Sequence, residues 1–234
     1  MPVSSHALTD ALEGVVGKDR LLTDSASLAR CAVNGTLPAW VVRPQSVNDV
    51  SRLLRLAAEE RLAVVPRGSG TLMGLGNAPR RLDGVVDLSG LAAVVDYEAA
   101  DLTVTVQCGI PLAALAARLA AHRQFLPLDP LDGSSRSVGG VLATNASGPL
   151  RYRYGTPRDL LLGVRFVQAD GTVTWGGARV VKSVTGYDIP KLMVGSLGTL
   201  GVLVEATLRL HPVPEAERTW VVTFATAERA AGLL

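Results

Sequence analysis

The chain has 234 residues, of which 48% are hydrophobic and 19% are charged. The apolar fraction excludes an intrinsically disordered chain, and the length suffices for one large domain or two small ones. The formal net charge of +2 is too small to attract nucleic acid by bulk electrostatics, so no nucleic-acid partner is expected.

The sequence predicts no membrane-spanning segment and no metal site. A membrane span needs about 18 continuous apolar residues, whereas the longest candidate, residues 112–121, is interrupted by Arg118. Residues 1–6 lack the basic segment of a secretory signal, so we expect a cytoplasmic protein. The two cysteines, Cys31 and Cys108, have no metal-binding or disulfide-framework spacing and are expected to be small buried hydrophobes.

The first half of the chain predicts a strand–helix–strand unit. Residues 40–42 indicate a strand, Ser46 caps an amphipathic helix that runs to about Glu60, and residues 62–65 indicate a buried strand. Such a unit places ligand-binding loops at the carboxyl ends of its strands, and the loop here is predicted to begin at Pro66.

Further elements follow from hydrophobic periodicity and turn signals. They are a helix over 6–16 ended by Gly17, strands at 85–88, 92–95 and 102–106, a helix after Pro111, a hairpin of 160–168 and 172–175 around Asp170-Gly171, strands at 202–210 and 219–224, and a helix capped by Thr226.

A glycine-rich segment, P-R-G-S-G-T-L-M-G-L-G over residues 66–76, follows the second predicted strand directly. Its glycines let the backbone approach a ligand and turn N–H groups inward, as in an anion-binding nest, and Arg67 adds a positive charge. The spacing fits neither a Walker loop nor a Rossmann turn. An ordinary flexible loop is the alternative interpretation.

Two later segments have the same character. Residues 137–148 read S-V-G-G-V-L-A-T-N-A-S-G, and residues 195–202 read G-S-L-G-T-L-G-V. Three separate segments with hydroxyls and amides, but almost no acids or bases, suggest an elongated ligand gripped by main chain along its length. A dinucleotide cofactor fits this description.

These motifs occur in a recognisable order: P-R-G-S-G-T, then S-V-G-G-V-L-A-T-N-A-S-G-P-L-R-Y-R-Y-G-T-P-R-D, then R-V-V-K-S-V-T-G-Y-D, then G-S-L-G-T-L-G-V. From about Ala39 to Pro214 the chain resembles the FAD-binding domain of the vanillyl-alcohol-oxidase-like, or PCMH-type, FAD-linked oxidases. Within that superfamily it is most similar to the FAD-binding subunit of bacterial glycolate oxidase.

The resemblance implies an α+β fold with two lobes and FAD in the cleft between them. A small βαβ-containing lobe over about 39–100 would pack on a larger, mainly antiparallel αβ lobe over about 101–214. Residues 1–38 are expected to form an N-terminal helical segment, and residues 215–234 the start of a C-terminal region.

The resemblance also implies which residues contact the cofactor. The expected FAD-binding residues are Pro66, Arg67, Gly68, Ser69, Gly70, Thr71 and Leu72, then Leu131, Asp132, Ser134, Ser137, Gly139, Gly140, Thr144, Asn145, Ala146, Ser147 and Gly148, and finally Ser196, Gly198, Thr199, Leu200, Gly201 and Val202.

A second group matches the family pattern without an assigned contact: Arg151, Tyr154, Gly155, Lys182, Gly186 and Tyr187. We expect Lys182 to pair with a carboxylate such as Asp188 rather than to transfer protons. Thr71 stands where covalently flavinylated members have histidine, so the resemblance implies non-covalent FAD.

In function, the resemblance implies a glycolate-oxidase-like or 2-hydroxy-acid-dehydrogenase-like FAD oxidoreductase subunit. It would take a hydride from a small 2-hydroxy acid and pass electrons to sister flavoprotein and iron–sulfur subunits, through which it would associate with a membrane. The alternatives are a non-catalytic FAD-binding relay or scaffold subunit, and a reductase of the cell-wall-precursor type that uses NADPH.

Overall fold

The structure, a computed structural model, describes residues 5–177 and 187–232. In chain order the elements are α1 (Ser5–Val16), β1 (Leu21–Leu22), α2 (Ser25–Arg30), β2 (Trp40–Val42), α3 (Val47–Glu59), β3 (Val64–Arg67), β4 (Gly84–Asp87), β5 (Val94–Glu98), β6 (Thr103–Gln107), α4 (Leu112–Leu119), β7 (Gln124–Phe125), α5 (Val138–Thr144), α6 (Arg151–Tyr154), α7 (Pro157–Leu160), β8 (Leu161–Val167), β9 (Val173–Gly177), α8 (Ile189–Met193), β10 (Val202–Arg209), β11 (His211–Pro212) and α9 (Ala227–Ala231).

A four-stranded sheet with the order β1-β2-β4-β3 contains the predicted strand–helix–strand unit. Strands β2, β4 and β3 run parallel, with β4 inserted between the two strands of the unit, and β1 adds an antiparallel edge. Ser46 caps helix α3 as expected: its hydroxyl accepts a 3.1 Å hydrogen bond from the Asp49 N–H, while the Asp49 carboxylate accepts one from the Ser46 N–H. Its apolar face is buried through Val50, Leu53 and Leu54.

The second sheet has five antiparallel strands in the order β5-β6-β10-β8-β9. Strands β8 and β9 form the hairpin predicted around Asp170-Gly171. Helices α4 and α5 pack on this sheet, with Leu115 and Leu142 in one buried cluster with Val106 and Leu208.

The two sheets are joined through the start of β10 and through α1. Val202 and Val204 lie in the same buried cluster as Trp40 of β2 and Leu12 of α1. Residues 5–38, part of the expected N-terminal helical segment, also supply core residues and the edge strand β1 to the first sheet.

The predicted α+β architecture, with a small βαβ-containing part beside a larger antiparallel part, is confirmed. By sheet membership the change between the two falls between Asp87 and Val94, before the division expected near residue 100, because β5 pairs with β6. Both cysteines are buried, as predicted.

Two details of the predicted elements are wrong. Residues 219–224 form no strand: no described strand lies beside them to complete a ladder, and Trp220 and Val221 are 83% and 87% exposed. Strand β3 continues through Pro66 and Arg67, so the glycine-rich loop begins at Gly68. No helix among residues 5–177 and 187–232 is both long enough and apolar enough to cross a membrane.

Candidate cofactor-binding cleft

The three glycine-bearing segments meet at one cleft between the two sheets. It is lined by the end of β3 and the loop after it, by the first turn and inner face of α5, and by the turn that precedes β10. Segments separated by more than 120 positions in the chain therefore face a common space.

The first segment presents main chain to this cleft. A Cβ atom at Gly68 would overlap the Ser137 hydroxyl, and Gly70 has a φ of +77° that L side chains rarely adopt. Within the described chain, the N–H groups of Gly68, Gly70 and Thr71 donate to no acceptor. Free backbone N–H groups in a concave turn are the typical donors of an anion-binding nest.

The Arg67 side chain supports this loop from within. One of its terminal nitrogens lies 3.6 Å from the Asp87 carboxylate, and its Nη atoms donate to the carbonyl oxygens of Gly68 and Ser69 at 3.3 Å. Asp87, only 2% exposed, also accepts a 3.1 Å hydrogen bond from Arg43. The charge expected to serve a ligand is thus already engaged by a buried carboxylate, and Arg67 fixes the shape of the loop.

Ser137 links the second segment to the first. Its hydroxyl caps α5 by accepting from the Gly140 N–H at 3.2 Å, and it also accepts from the Ser69 N–H at 3.3 Å. The Gly139 N–H donates to the Cys108 carbonyl at 2.7 Å. The start of α5 is therefore held against both the glycine-rich loop and the end of β6.

The third segment is held against the end of α5. The N–H groups of Gly195 and Leu197 donate to the carbonyls of Leu142 and Ala143, each at 2.9 Å. A Cβ atom at Gly198 would lie 2.6 Å from Cγ of Pro66, so this turn also contacts the first segment. The three segments thus support one another directly.

The charged side chains in the described lining of the cleft are all positive. Its described lining includes two arginines, Arg67 and Arg136, and no aspartate, glutamate or histidine. The remaining ionisable lining group is the Cys108 thiol, whose pKa is raised well above its usual value by burial and by the nearby Glu205 carboxylate. The thiol stays protonated, so the described lining offers no general base. With two arginines and no carboxylate, this lining suits an anionic ligand.

The structure brings together some of the predicted site residues and leaves others aside. All seven residues of 66–72 line the cleft, as do Ser137, Gly139, Gly140, Thr144, Gly198 and Gly201. Outside its described lining are Leu131, Asp132, Asn145, Ala146, Ser147, Gly148, Ser196, Thr199, Leu200 and Val202. The side chain of Ser134 lies outside the part of the chain that the structure describes.

Local structure accounts for several of these positions. Leu131 is 80% exposed, whereas Val202 is buried in the core that joins the sheets. The turn at Gly148 is held by the Asp129 carboxylate, which accepts from its N–H at 3.1 Å. Of the second group, Lys182 and Gly186 lie outside the described residues. The Asp188 carboxylate, named above as a partner for Lys182, lies 2.8 Å from Nζ of Lys191.

Arg136 lies inside the segment 131–137 that the resemblance places beside the cofactor, but sequence reasoning did not single it out as a contact, and the structure places it in the lining. The signal was present: a single charged residue stands in the otherwise small and apolar run G-S-S-R-S-V-G-G over residues 133–140. Leu88, Cys108 and Leu203 were also missed, since each belongs to a core strand or its end and has no feature that marks it as ligand-facing.

A sequence model of the family described as "FAD binding domain" matches residues 38–177. The chain is 32% identical over 196 residues to glycolate oxidase subunit GlcD of Bacillus subtilis, an alignment that covers 84% of this chain and 42% of that protein. It is 39% identical over 202 residues to a mitochondrial D-lactate dehydrogenase [cytochrome] of Arabidopsis thaliana, covering 86% of this chain and 35% of the relative. The chain thus spans less than half the length of these relatives.

Among solved structures, alkyldihydroxyacetonephosphate synthase superposes with a TM-score of 0.77 at 25% identity, covering 92% of this chain and 45% of the other. The sequence match extends over more than half of the chain, from the strand before α3 to the end of β9. The chain therefore belongs to the family of FAD-binding domains of the FAD-linked oxidases, and its cofactor is FAD.

Proposed function

We propose that this chain is the FAD-binding part of an oxidoreductase that acts on small 2-hydroxy acids, of the glycolate-oxidase kind. The observation that carries the proposal is the convergence of three glycine-bearing segments on one cleft, whose described lining includes two arginines and no carboxylate. A dinucleotide with a doubly charged diphosphate matches the positive charge of that surface, and its several parts match the three separate segments.

The residues present fit FAD on two local observations. The Nε atom of Arg136 is buried and has no hydrogen-bond partner within the described chain, and a Cβ atom at Gly68 would fill the space beside Ser137. Both features are typical of a surface shaped for close approach by a hydrogen-bond-accepting group. We assign the diphosphate to the free N–H groups of Gly68, Gly70 and Thr71.

The other predicted contacts remain part of this proposal. Ser137, Gly139, Gly140 and Thr144 would run beside the cofactor, and Gly198 and Gly201 would close the cleft at the adenine and ribose end. Residues 131–134, 145–148 and the rest of 196–202 would act from the rim. FAD would be held non-covalently, since Thr71 offers no imidazole.

When bound, FAD supplies the ring that accepts a hydride from the substrate carbon. This chain's own residues bind the diphosphate through main-chain N–H groups, orient the cofactor, and exclude water with Leu88, Leu203 and the protonated Cys108. The described lining has no carboxylate or imidazole to take the proton of the substrate hydroxyl. We therefore place the acceptor of that proton outside this cleft lining.

The substrate class and the partners rest on the relatives. Glycolate and D-lactate, named in the two relatives above, are both small 2-hydroxy acids. One relative is named as a subunit and the other as a cytochrome-linked enzyme, which supports electron transfer to a partner. We propose sister flavoprotein and iron–sulfur subunits as partners, a cytoplasmic location, and membrane association only through those partners.

The absence of an acid–base group in the described cleft lining favours a second candidate, a non-catalytic FAD-binding relay or scaffold module. The two candidates differ in what the isolated chain does with substrate. Both predict that the purified chain has the absorbance of oxidised flavin.

The deciding experiment is anaerobic addition of glycolate or D-lactate to the FAD-loaded chain, followed by absorbance near the flavin maximum. Bleaching without partners would support the enzyme, and bleaching only after the sister subunits are added would support the relay module. Bleaching by NADPH but by neither acid would contradict both and favour a reductase.

A further inference from the structure

Arg136 carries a buried charge that has no counter-charge among the described residues. The residue is 7% exposed, and its Nε atom is shielded from solvent without a hydrogen-bond partner. Within residues 5–177 and 187–232, its guanidinium group donates to no acceptor and forms no ion pair. Arg67, the other arginine of the cleft, is by contrast paired with Asp87.

An unpaired buried guanidinium is a costly arrangement. Removing part of a guanidinium group from water without an anion beside it forfeits solvation that nothing replaces. Arginines in such positions are usually satisfied by a carboxylate, a phosphate or a carbonyl. Because Arg136 lines the cleft, the missing anion is one that the cleft itself receives.

The backbone at Arg136 is fixed before any ligand binds. Its N–H donates to the Gly133 carbonyl at 3.1 Å, and its carbonyl accepts from the Leu112 N–H at 2.8 Å. The next residue, Ser137, forms a bridge with Pro111 and accepts the hydrogen bond from Ser69 described above. The charge is therefore anchored on a rigid support one residue away from the contact with the glycine-rich loop.

We infer that Arg136 binds the anionic diphosphate of FAD, completing the set of donors begun by the N–H groups of Gly68, Gly70 and Thr71. This inference rests on the proposed placement of FAD in the cleft. Arg67 cannot fill the same role, since its guanidinium group is committed to Asp87 and to two loop carbonyls. A carboxylate of the substrate is the other anion that could use this charge.

The test compares the full chain with Arg136→Gln and Arg136→Lys, and with Arg118→Gln as a matched control because Arg118 is an exposed arginine of α4. Dissociation constants are measured for FAD, for ADP, which carries the diphosphate, and for riboflavin, which carries the ring and its ribityl chain but no phosphate. Arg136→Gln should weaken FAD and ADP by roughly 10- to 100-fold, as expected for the loss of a charge-assisted hydrogen bond. Riboflavin binding should be unchanged, Arg136→Lys should recover part of the loss, and Arg118→Gln should behave like wild type.

A second readout separates ligand binding from a structural role. Removing an unpaired buried charge should leave the melting temperature of the FAD-free chain equal or higher, whereas loss of a structural contact would lower it. A lowered melting temperature would overturn the inference, as would equal losses for riboflavin and ADP.

The remaining outcomes separate the inference from the proposed function. Unchanged FAD and ADP affinities would overturn the inference and leave the proposed FAD site standing; a simultaneous weakening of glycolate binding would assign Arg136 to the substrate carboxylate. A wild-type chain that binds neither FAD nor ADP would overturn the proposed site and the inference with it.

Discussion

At the scale of single residues, the cleft depends on the absence of side chains. At Gly70 the backbone has a φ of +77°, and a Cβ atom would lie 2.7 Å from Cζ of Arg67. Any side chain at this position would strain the backbone and displace the guanidinium group that holds the loop carbonyls. The loop and the Arg67–Asp87 pair thus support one another, so a substitution in either should displace the free N–H groups of the loop.

Gly70→Ala should therefore weaken FAD binding by roughly tenfold or more, since a non-glycine residue in a left-handed conformation costs about 1–2 kcal/mol before the overlap is counted. The matched control is Gly17→Ala, because Gly17 has a φ of +86° and open space around its Cβ position. Gly17→Ala should lower the free energy of unfolding by about 1–2 kcal/mol, the same backbone cost, and leave the FAD dissociation constant unchanged. Equal FAD affinity in both variants would contradict the assigned role of the loop.

At the scale of elements, two helices begin in the same way but serve different purposes. Ser46 caps α3 on the outside of the first sheet, whereas Ser137 caps α5 and also accepts from the Ser69 N–H. Both serines hold a helix start, and only Ser137 ties that start to the glycine-rich loop.

Ser46→Ala and Ser137→Ala should each destabilise the chain by about 1 kcal/mol, the usual effect of losing an N-cap side chain. Only Ser137→Ala should also weaken FAD binding, because it frees the loop that carries the diphosphate donors. Chemical denaturation measures the first effect and FAD titration the second. A comparable FAD defect in Ser46→Ala would show that affinity follows global stability rather than this contact.

A small aromatic cluster supports the short pairing of β7 with β11. His211 lies opposite Phe125 in this pairing, and its ring centroid is 4.9 Å from that of Tyr154. Burial, together with the positive charges of Arg209 and Arg153, lowers the pKa of His211 below its ordinary 6.5. The imidazole is therefore neutral in the folded chain at pH values where the unfolded chain has begun to take up its proton.

This pKa shift predicts a loss of stability on acidification. As the pH falls from 7 towards 5, the unfolded state binds a proton that the folded state does not, so the free energy of unfolding decreases. His211→Gln should flatten that slope, and His122→Gln, at an exposed histidine beside Tyr97, should retain it. Urea denaturation at several pH values measures the slope; an unchanged slope in His211→Gln would contradict the assignment.

Periodicity and capping predicted most of these elements, because their physical causes are local. The Ser46 capping box, the hairpin around Asp170-Gly171 and the cap at Thr226 all involve residues within a few positions of each other. The prediction of a strand at 219–224 was wrong because its cause is not local: a strand requires a neighbouring strand, and the described chain provides none there. The insertion of β4 between β2 and β3 likewise depends on contacts between residues far apart in the chain, which a local sequence pattern does not reveal.

The site was predictable to the extent that it is made of glycine. The three segments could be recognised from composition and order, and the structure places them at one cleft. The engagement of Arg67 by Asp87 and the isolation of Arg136 could not be read in the same way, because each depends on which carboxylates come near in three dimensions. Charge in a sequence becomes informative only once its partners are known.

At the scale of the whole molecule, the cleft is bordered by both sheets. Its lining runs from β3 in the first sheet to β10 in the second, by way of α5. A ligand that spans these segments binds the folded arrangement and not the unfolded chain, so it should stabilise both sheets together by mass action. Fragments of the ligand that reach only one segment should stabilise far less.

The most direct measurement is titration of the purified, cofactor-free chain with FAD, followed by visible absorbance, thermal unfolding and acid release of the chromophore. We predict one FAD per chain, a single unfolding transition that moves to higher temperature with FAD and far less with riboflavin, and complete release of the flavin by acid. A chain that remains colourless after reconstitution and melts at the same temperature with and without FAD would contradict the account.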